Sequence, residues 1–307
     1  MTALPRTAPL LHNGRPKMRY LDVNGARLFV TDTGEPPSGE TGTPILFIHG
    51  LMLASESWRA QVAHFAPTHR VITFDLRGQG LSDKPRLGLG LDALAEDAVE
   101  VLTQLGIEAA HVVGFSMGSF IAMRLAARHP DLVRSLTLVG PSADAEEASN
   151  LPRYRLLIAI VRLFGPRVVT GAMLKILFGK TFLADPAVRA EREHWRGILR
   201  RLPRSLHRAA AASAGRAAIH DLLPLIKAPT LIFSGSEDRP ISPASAARVR
   251  DGIRGAQVVP VPGAGHAVMI ERAETFNTVL RLFLQDHDGR QDRPDQPTRN
   301  PAARGTH

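Results

Sequence analysis

Cysteine is absent from the 307-residue chain. That removes disulfide frameworks, iron–sulfur clusters, thiolate-bound zinc and a cysteine nucleophile from consideration. Lysine is scarce as well, with 5 lysines against 33 arginines, a bias that genomic composition explains without any function. Also missing are a His-Glu-x-x-His metal motif and a phosphate-binding Gly-x-x-x-x-Gly-Lys, and Gly78-Gln79-Gly80 runs into Leu-Ser-Asp instead of completing a dinucleotide fingerprint. No long hydrophobic run exists. Met1 to Lys17 holds only short apolar pairs such as Leu10-Leu11, and Leu156 to Phe178 is interrupted by Arg162, Pro166, Arg167 and Lys175. A transmembrane helix needs about 20 nearly unbroken apolar residues, so a cytoplasmic protein without a membrane span is expected.

What is present is an ordinary globular composition, 44% hydrophobic and 22% charged, in a chain long enough for one large core. The net charge of +9 invites a nucleic-acid reading until the charges are located. Residues 141 to 226 contain 14 Arg or Lys against 7 Asp or Glu, so most of the surplus sits in one segment and not in a basic arm or groove. No nucleic-acid partner is expected. Helical spacing of Arg189, Arg192, Arg196 and Arg200 reads most simply as a solvated face, and more sharply as a surface that meets anionic or membrane-associated substrates.

Short apolar runs alternate with helical patterns. Strands are expected at Arg27–Thr31, Ile45–Ile48, Val71–Asp75, His111–Gly114, Leu136–Val139, Thr230–Phe233 and Gln257–Val261. Helices are expected at Glu56–Phe65, Asp92–Leu105, Met117–Arg128, Pro243–Gly252 and Glu271–Gln285. This alternation implies an α/β fold with a parallel sheet covered on both faces. Residues 141–226 break the pattern with helices alone, as a cap inserted between sheet strands would. The expected organisation is a leader at 1–19, a core at 20–140 and 227–285, the helical cap at 141–226, and a disordered tail at 286–307.

Gly114-Phe115-Ser116-Met117-Gly118 follows an apolar strand and opens a helix. A sharp strand-to-helix turn strains the serine backbone, flanking glycines relieve the crowding, and the hydroxyl projects beside free helix N–H groups. A serine hydroxyl needs a base. His266, in the glycine-rich loop Pro262–His266 after the last strand, is the candidate; His64, His69 and His129 lie on helices or at their exits, and His12, His287 and His307 near the termini. The imidazole needs an acid, and Asp238 follows the strand Thr230–Phe233, with Glu237 and Asp144 as rivals. Gly50 permits a tight turn that could aim the Leu51 N–H beside that of Met117 at one oxyanion. His49 is expected to support this loop, and Asp75 with Arg77–Gly80 to form a structural turn.

These residues together resemble the α/β-hydrolase fold superfamily. The matching pieces are Ile48-His49-Gly50, Phe74 to Ser82, Gly114 to Gly118, Gly235 to Asp238 and Gly265-His266, in the expected order across about residues 20 to 285. The resemblance implies a mostly parallel eight-stranded sheet with a helical cap insertion. It also implies Ser116 as nucleophile, His266 as base, Asp238 as acid, and Leu51 and Met117 as oxyanion donors. Within the superfamily the chain is similar to serine esterases, enol-lactonases and cofactor-free haloperoxidases. Met52 and Gln79 depart from the proline and histidine frequent there, and a serine at the elbow argues against branches with an aspartate nucleophile.

The implied chemistry is hydrolysis of a carboxylic ester, thioester or lactone, with no cofactor and no metal. Acyl transfer, carbon–carbon bond hydrolysis and haloperoxidase or perhydrolase chemistry would use the same triad, and a non-catalytic ligand receptor would use the same scaffold. The partner is a small acyl molecule, hydrophobic if cap residues such as Leu156, Leu157, Leu163, Phe164, Met173 and Leu177 line the pocket. Packing of the cap onto itself is the plainer reading for most of them.

Overall fold

A computed structural model describes residues 16–37 and 42–288. The expected leader over residues 1–15 and the expected tail over 289–307 fall outside the described residues. The chain order is β1 (Lys17–Val23), β2 (Ala26–Asp32), β3 (Gly42–Ile48), α1 (Arg59–Phe65), β4 (His69–Phe74), α2 (Leu91–Gln104), β5 (Ala110–Phe115), α3 (Met117–Arg128) and β6 (Val133–Val139). Five helices follow without a strand: α4 (Leu151–Phe164), α5 (Thr170–Leu177), α6 (Lys180–Ala184), α7 (Arg189–Arg201) and α8 (Leu206–Ala214). The sheet then resumes with β7 (Thr230–Gly235), α9 (Pro243–Gly252), β8 (Gln257–Val261), α10 (Val268–Glu271) and α11 (Ala273–Asp288).

The strands form one sheet in the order β1-β2-β4-β3-β5-β6-β7-β8. Pairing is antiparallel between β1 and β2 and between β2 and β4, and parallel from β4 through β8. Both faces are buried, and alternation divides them. In β3, Leu46 and Ile48 join one core while Ile45 and Phe47 join the other. The chain runs from β3 outward to β4 and then returns to β5 on the other side of β3. That reversal opens a crevice beyond the carboxyl ends of β3 and β5, where such folds place their ligands. Among the described residues no helix is long and apolar enough to cross a membrane.

Two boundaries differ from expectation. Residues 17–19, expected to close the leader, are strand instead, because β1 starts at Lys17 and pairs along its length with β2. Only Val23 of β1 is buried, so this edge strand shows no apolar alternation. Its turn residues, Asn24 at φ 47° and Gly25 at φ 78°, are those a two-residue hairpin requires.

At the other end, residues 286–288, expected to open the tail, are helical, because α11 continues to Asp288. The Asp288 carboxylate accepts from the Thr43 N–H at 3.0 Å and shares hydrogen bonds with His111 Nε2 at 3.0 Å and His69 Nε2 at 3.3 Å. His111 Nδ1 meets Ser135 Oγ at 2.7 Å. Burial pushes the Asp288 carboxyl upward, but the hydrogen bonds from His111 and His69 prevail and hold it well below the usual carboxylate range.

The final helix is thus fastened to the amino-terminal ends of β3, β4 and β5, on the sheet edge opposite the crevice. A carboxylate with a lowered folded pKa stabilises fully above its unfolded pKa, near 3.8, and that contribution fades as pH falls below it. Asp288→Ala should therefore cost about 1–3 kcal/mol at neutral pH, read from the urea midpoint, and the deficit should shrink below about pH 4. An unchanged midpoint at neutral pH would mean the contact contributes nothing.

Candidate active site

The strand ends bring the sequence candidates to one crevice. Ser116 sits between β5 and α3 with φ 51° and ψ −117°, a conformation costing on the order of 1–3 kcal/mol. Four contacts hold it there: its N–H donates to Val139 O at 2.8 Å, and its carbonyl accepts from Ser119 N at 2.8 Å, Phe120 N at 3.1 Å and Ser119 Oγ at 2.6 Å. Close crossing explains the glycines on either side. A Cβ on Gly118 would lie 2.1 Å from the Ile48 carbonyl oxygen, and one on Gly114 would lie 2.4 Å from the Gly118 carbonyl oxygen.

His266 and Asp238 follow β8 and β7. His266 Nδ1 is 2.7 Å from Asp238 Oδ2, and both side chains are buried. Asp238 Oδ1 accepts from the Ile241 N–H at 2.9 Å, which fixes the carboxylate's orientation. The imidazole packs against Phe115 at a tilt of 53°, with ring centroids 4.9 Å apart. Gly140 makes room on the other side, since a Cβ there would stand 2.8 Å from His266 Nδ1. The rival acids are occupied elsewhere. Glu237 accepts from Thr181 N and Oγ1, and Asp144 binds Arg248, His220 and Ser142.

The loop after β3 carries Leu51. Among the described residues neither the Leu51 N–H nor the Met117 N–H has an acceptor, whereas the Met52 N–H is held by Gln79 Oε1 at 2.9 Å. Met52 itself has φ 69°. Buried His49 ties this loop to the next: its Nδ1 meets the Gly50 carbonyl at 2.8 Å, and its Nε2 accepts from the Leu76 N–H at 2.8 Å. Burial holds its pKa below the ordinary histidine value, as a neutral ring that both donates and accepts requires. The Asp75 carboxylate accepts from Ser55 N, Ser55 Oγ and Leu81 N, bracing the same loops without reaching the cavity.

Ser116 and His266 line a cavity of roughly 1000 Å³, part of it open to solvent. Its walls come from Leu51, Met52 and Phe120 below, and from α4, α5 and α8 above. Leu157, Val161, Met173, Ile176, Leu177 and Leu206 make most of that cover apolar. Glu146 and Arg216, joined at 2.8 Å, are among its few polar groups, with Tyr154 and Ser213. Of the apolar residues in the helical segment, Leu174, Phe178 and Phe182 are buried in packing instead, and Leu156, Leu163 and Phe164 are exposed.

One residue near the site escaped the sequence reading. Buried Glu271 accepts from Gly179 N and Gly265 N, both at 3.0 Å. It therefore joins the helical segment to the loop that carries His266. Burial pushes its carboxyl up to about 7, and the two N–H donors offset only part of that rise. No local motif marks it, because its partners are a loop glycine six residues earlier and a backbone group 92 residues away.

Comparisons with known proteins agree with this layout. Residues 43–273 match the model of a family described as alpha/beta hydrolase fold. A curated relative, the AB hydrolase superfamily protein YisY of Bacillus subtilis (strain 168), is 33% identical over 267 residues, spanning 83% of this chain and 94% of the relative. Among solved structures, a thermophilic esterase from Thermogutta terrifontis has TM-score 0.79 at 27% identity, covering 89% of this chain and 99% of that one. The enol-lactonase from Burkholderia xenovorans LB400 has TM-score 0.78 at 26% identity, covering 87% and 100% respectively.

Glu271 generates a pH test. Its folded pKa, about 7, lies above the ordinary 4.5, so folding favours the protonated form. Stability should fall as pH rises from about 4.5 to about 7 and stay reduced beyond. Glu271→Gln, which cannot ionise, should be more stable than the parent at pH 8, by on the order of 2 kcal/mol, with the gap closing near pH 4.5. Parallel pH–stability curves for the two proteins would contradict this.

Proposed function

The chain belongs to the alpha/beta hydrolase fold family, and from that premise we propose that it is a serine hydrolase cleaving a carboxylic ester, thioester or lactone with an apolar acyl portion. The observation that carries the proposal is the 2.7 Å bond between Asp238 and Nδ1 of His266, whose side chain lines one cavity with Ser116. With Nδ1 occupied by the carboxylate, the imidazole keeps Nε2 available as the base. The apolar cavity wall supports an apolar acyl group, and the likeness to an esterase and an enol-lactonase supports an ester or lactone carbonyl.

In this reading Ser116 Oγ attacks the carbonyl carbon while its proton passes to His266 Nε2. The carbonyl electron pair moves onto oxygen, and the resulting anion is met by the Leu51 and Met117 N–H groups, which have no acceptor of their own among the described residues. Met117 is the first residue of α3, so the positive end of the helix adds to the same stabilisation. Collapse of the intermediate breaks the bond to the leaving oxygen or sulfur, which takes the proton from His266 and leaves Ser116 acylated. Water then gives a proton to His266 as it attacks the acyl carbon, and collapse of this second intermediate breaks the bond to Ser116 Oγ, which takes that proton back from His266 as the acid is released. Asp238 holds the ring and stabilises the imidazolium in each half.

A p-nitrophenyl ester series of rising chain length, run beside lactones, measures this directly. Ser116→Ala and His266→Ala should each lower kcat by about 10³-fold or more. Asp238→Asn should keep the fold yet lower kcat by about 10³–10⁴-fold, because the amide favours the wrong tautomer. Undiminished turnover by Ser116→Ala would remove the proposal.

A further inference from the structure

Helix α4 is apolar on two sides. Tyr154, Leu157, Ile158 and Val161 line the cavity. On the outside, Leu156 is 62% exposed, Leu163 60% and Phe164 65%, and Val168 just beyond the helix is 63% exposed. Leu156, Ala159 and Leu163 are spaced three and four residues apart, so they form one outward stripe, and all three are exposed. Large side chains of this kind scattered singly need no explanation, but four within thirteen residues make a patch.

The charge around the patch has a single sign. Residues 151 to 184 contain six Arg or Lys and no Asp or Glu. Arg153, Arg155, Arg162 and Arg167 are exposed beside the apolar stripe, and none of them pairs with an acidic group among the described residues. Helix α7 is different. Its Arg192 donates to the Leu183 and Asp185 carbonyls and its Arg196 pairs with Glu193. Glu191 and Glu193 lie among the arginines of α7, whereas α4 to α6 carry no acidic side chain, so the positive charge of a single sign belongs to that stretch.

We propose that this outer face of α4 docks on the surface of an anionic phospholipid bilayer. The helix would lie in the plane of the interface, with Leu156, Leu163, Phe164 and Val168 at the boundary between headgroups and acyl chains and the four arginines against lipid phosphates. Charge complementarity selects this occupant over a second copy of the chain. An isologous contact would set four arginines against the same four arginines, with no acidic residue on the patch to answer them. Docking would also bring the cavity to the lipid surface, because the inner side of the same helix forms its wall. The binding itself does not depend on the proposed hydrolysis.

Flotation of the full chain with vesicles tests it. Ether-linked lipids, which carry no ester to cleave, keep binding separate from turnover. Vesicles of phosphatidylcholine with about one-third phosphatidylglycerol should capture the protein, and vesicles of phosphatidylcholine alone should capture about tenfold less. Raising the salt from about 0.05 M to about 0.5 M should release most of it. Leu163→Glu with Phe164→Glu, and separately Arg155→Gln with Arg162→Gln, should each reduce capture about tenfold while leaving the melting temperature unchanged. Ser116→Ala should bind as the parent does, so a failed active-site assignment would not disturb this result. Absence of capture by the anionic vesicles, or equal capture of parent and Leu163→Glu/Phe164→Glu, would overturn the proposal. So would a dimer by analytical ultracentrifugation that Phe164→Glu dissociates, since a second copy would then occupy the face.

Discussion

The close crossing of α3 against the end of β3 is the constraint on which the crevice depends. Gly118 passes so near the Ile48 carbonyl that a methyl group could not be accommodated there without moving backbone. That approach forces the abrupt turn at Ser116 and its positive φ. It also sets the first N–H groups of α3 beside the loop that follows β3. The strained residue persists because its surroundings over-determine it: β6 accepts its N–H, and Ser119 binds its carbonyl through both backbone and side chain.

The remaining parts are arranged around that turn by the sheet itself. Parallel strands send every following loop to the same edge, so residues 51, 116, 238 and 266 can converge although they span more than two hundred positions of chain. The opposite edge has a different task. There Asp288 fastens α11 to the starts of three strands through a backbone N–H and two histidines. The helical segment is tied to the crevice edge by two acids, Glu271 on Gly179 and Glu237 on Thr181, so cover and the loop carrying His266 are held as one unit.

Legibility in the sequence follows the range of the interaction. The Gly114–Gly118 turn is readable because strand, turn and helix are adjacent in the chain and each residue's requirement is local. The parallel strands are readable from their unbroken apolar runs. Strand β1 hides because it is an exposed edge with one buried residue, even though Asn24-Gly25 is a hairpin signal in plain view. Gln79 and Glu271 carry no local signal, since what they hold lies 27 and 92 residues away. The apolar residues of α4 are visible as a group, but a helix apolar on two sides gives no single stripe from which to tell cavity wall from outer surface.

The central claim is that the serine in this strained turn is the nucleophile, activated by the imidazole that Asp238 holds. Mass spectrometry of peptides after reaction with a fluorophosphonate measures it most directly. A single adduct on the peptide containing Ser116, greatly slowed in His266→Ala, is the predicted result. An adduct on another residue, or equal labelling of Ser116→Ala, would contradict the account.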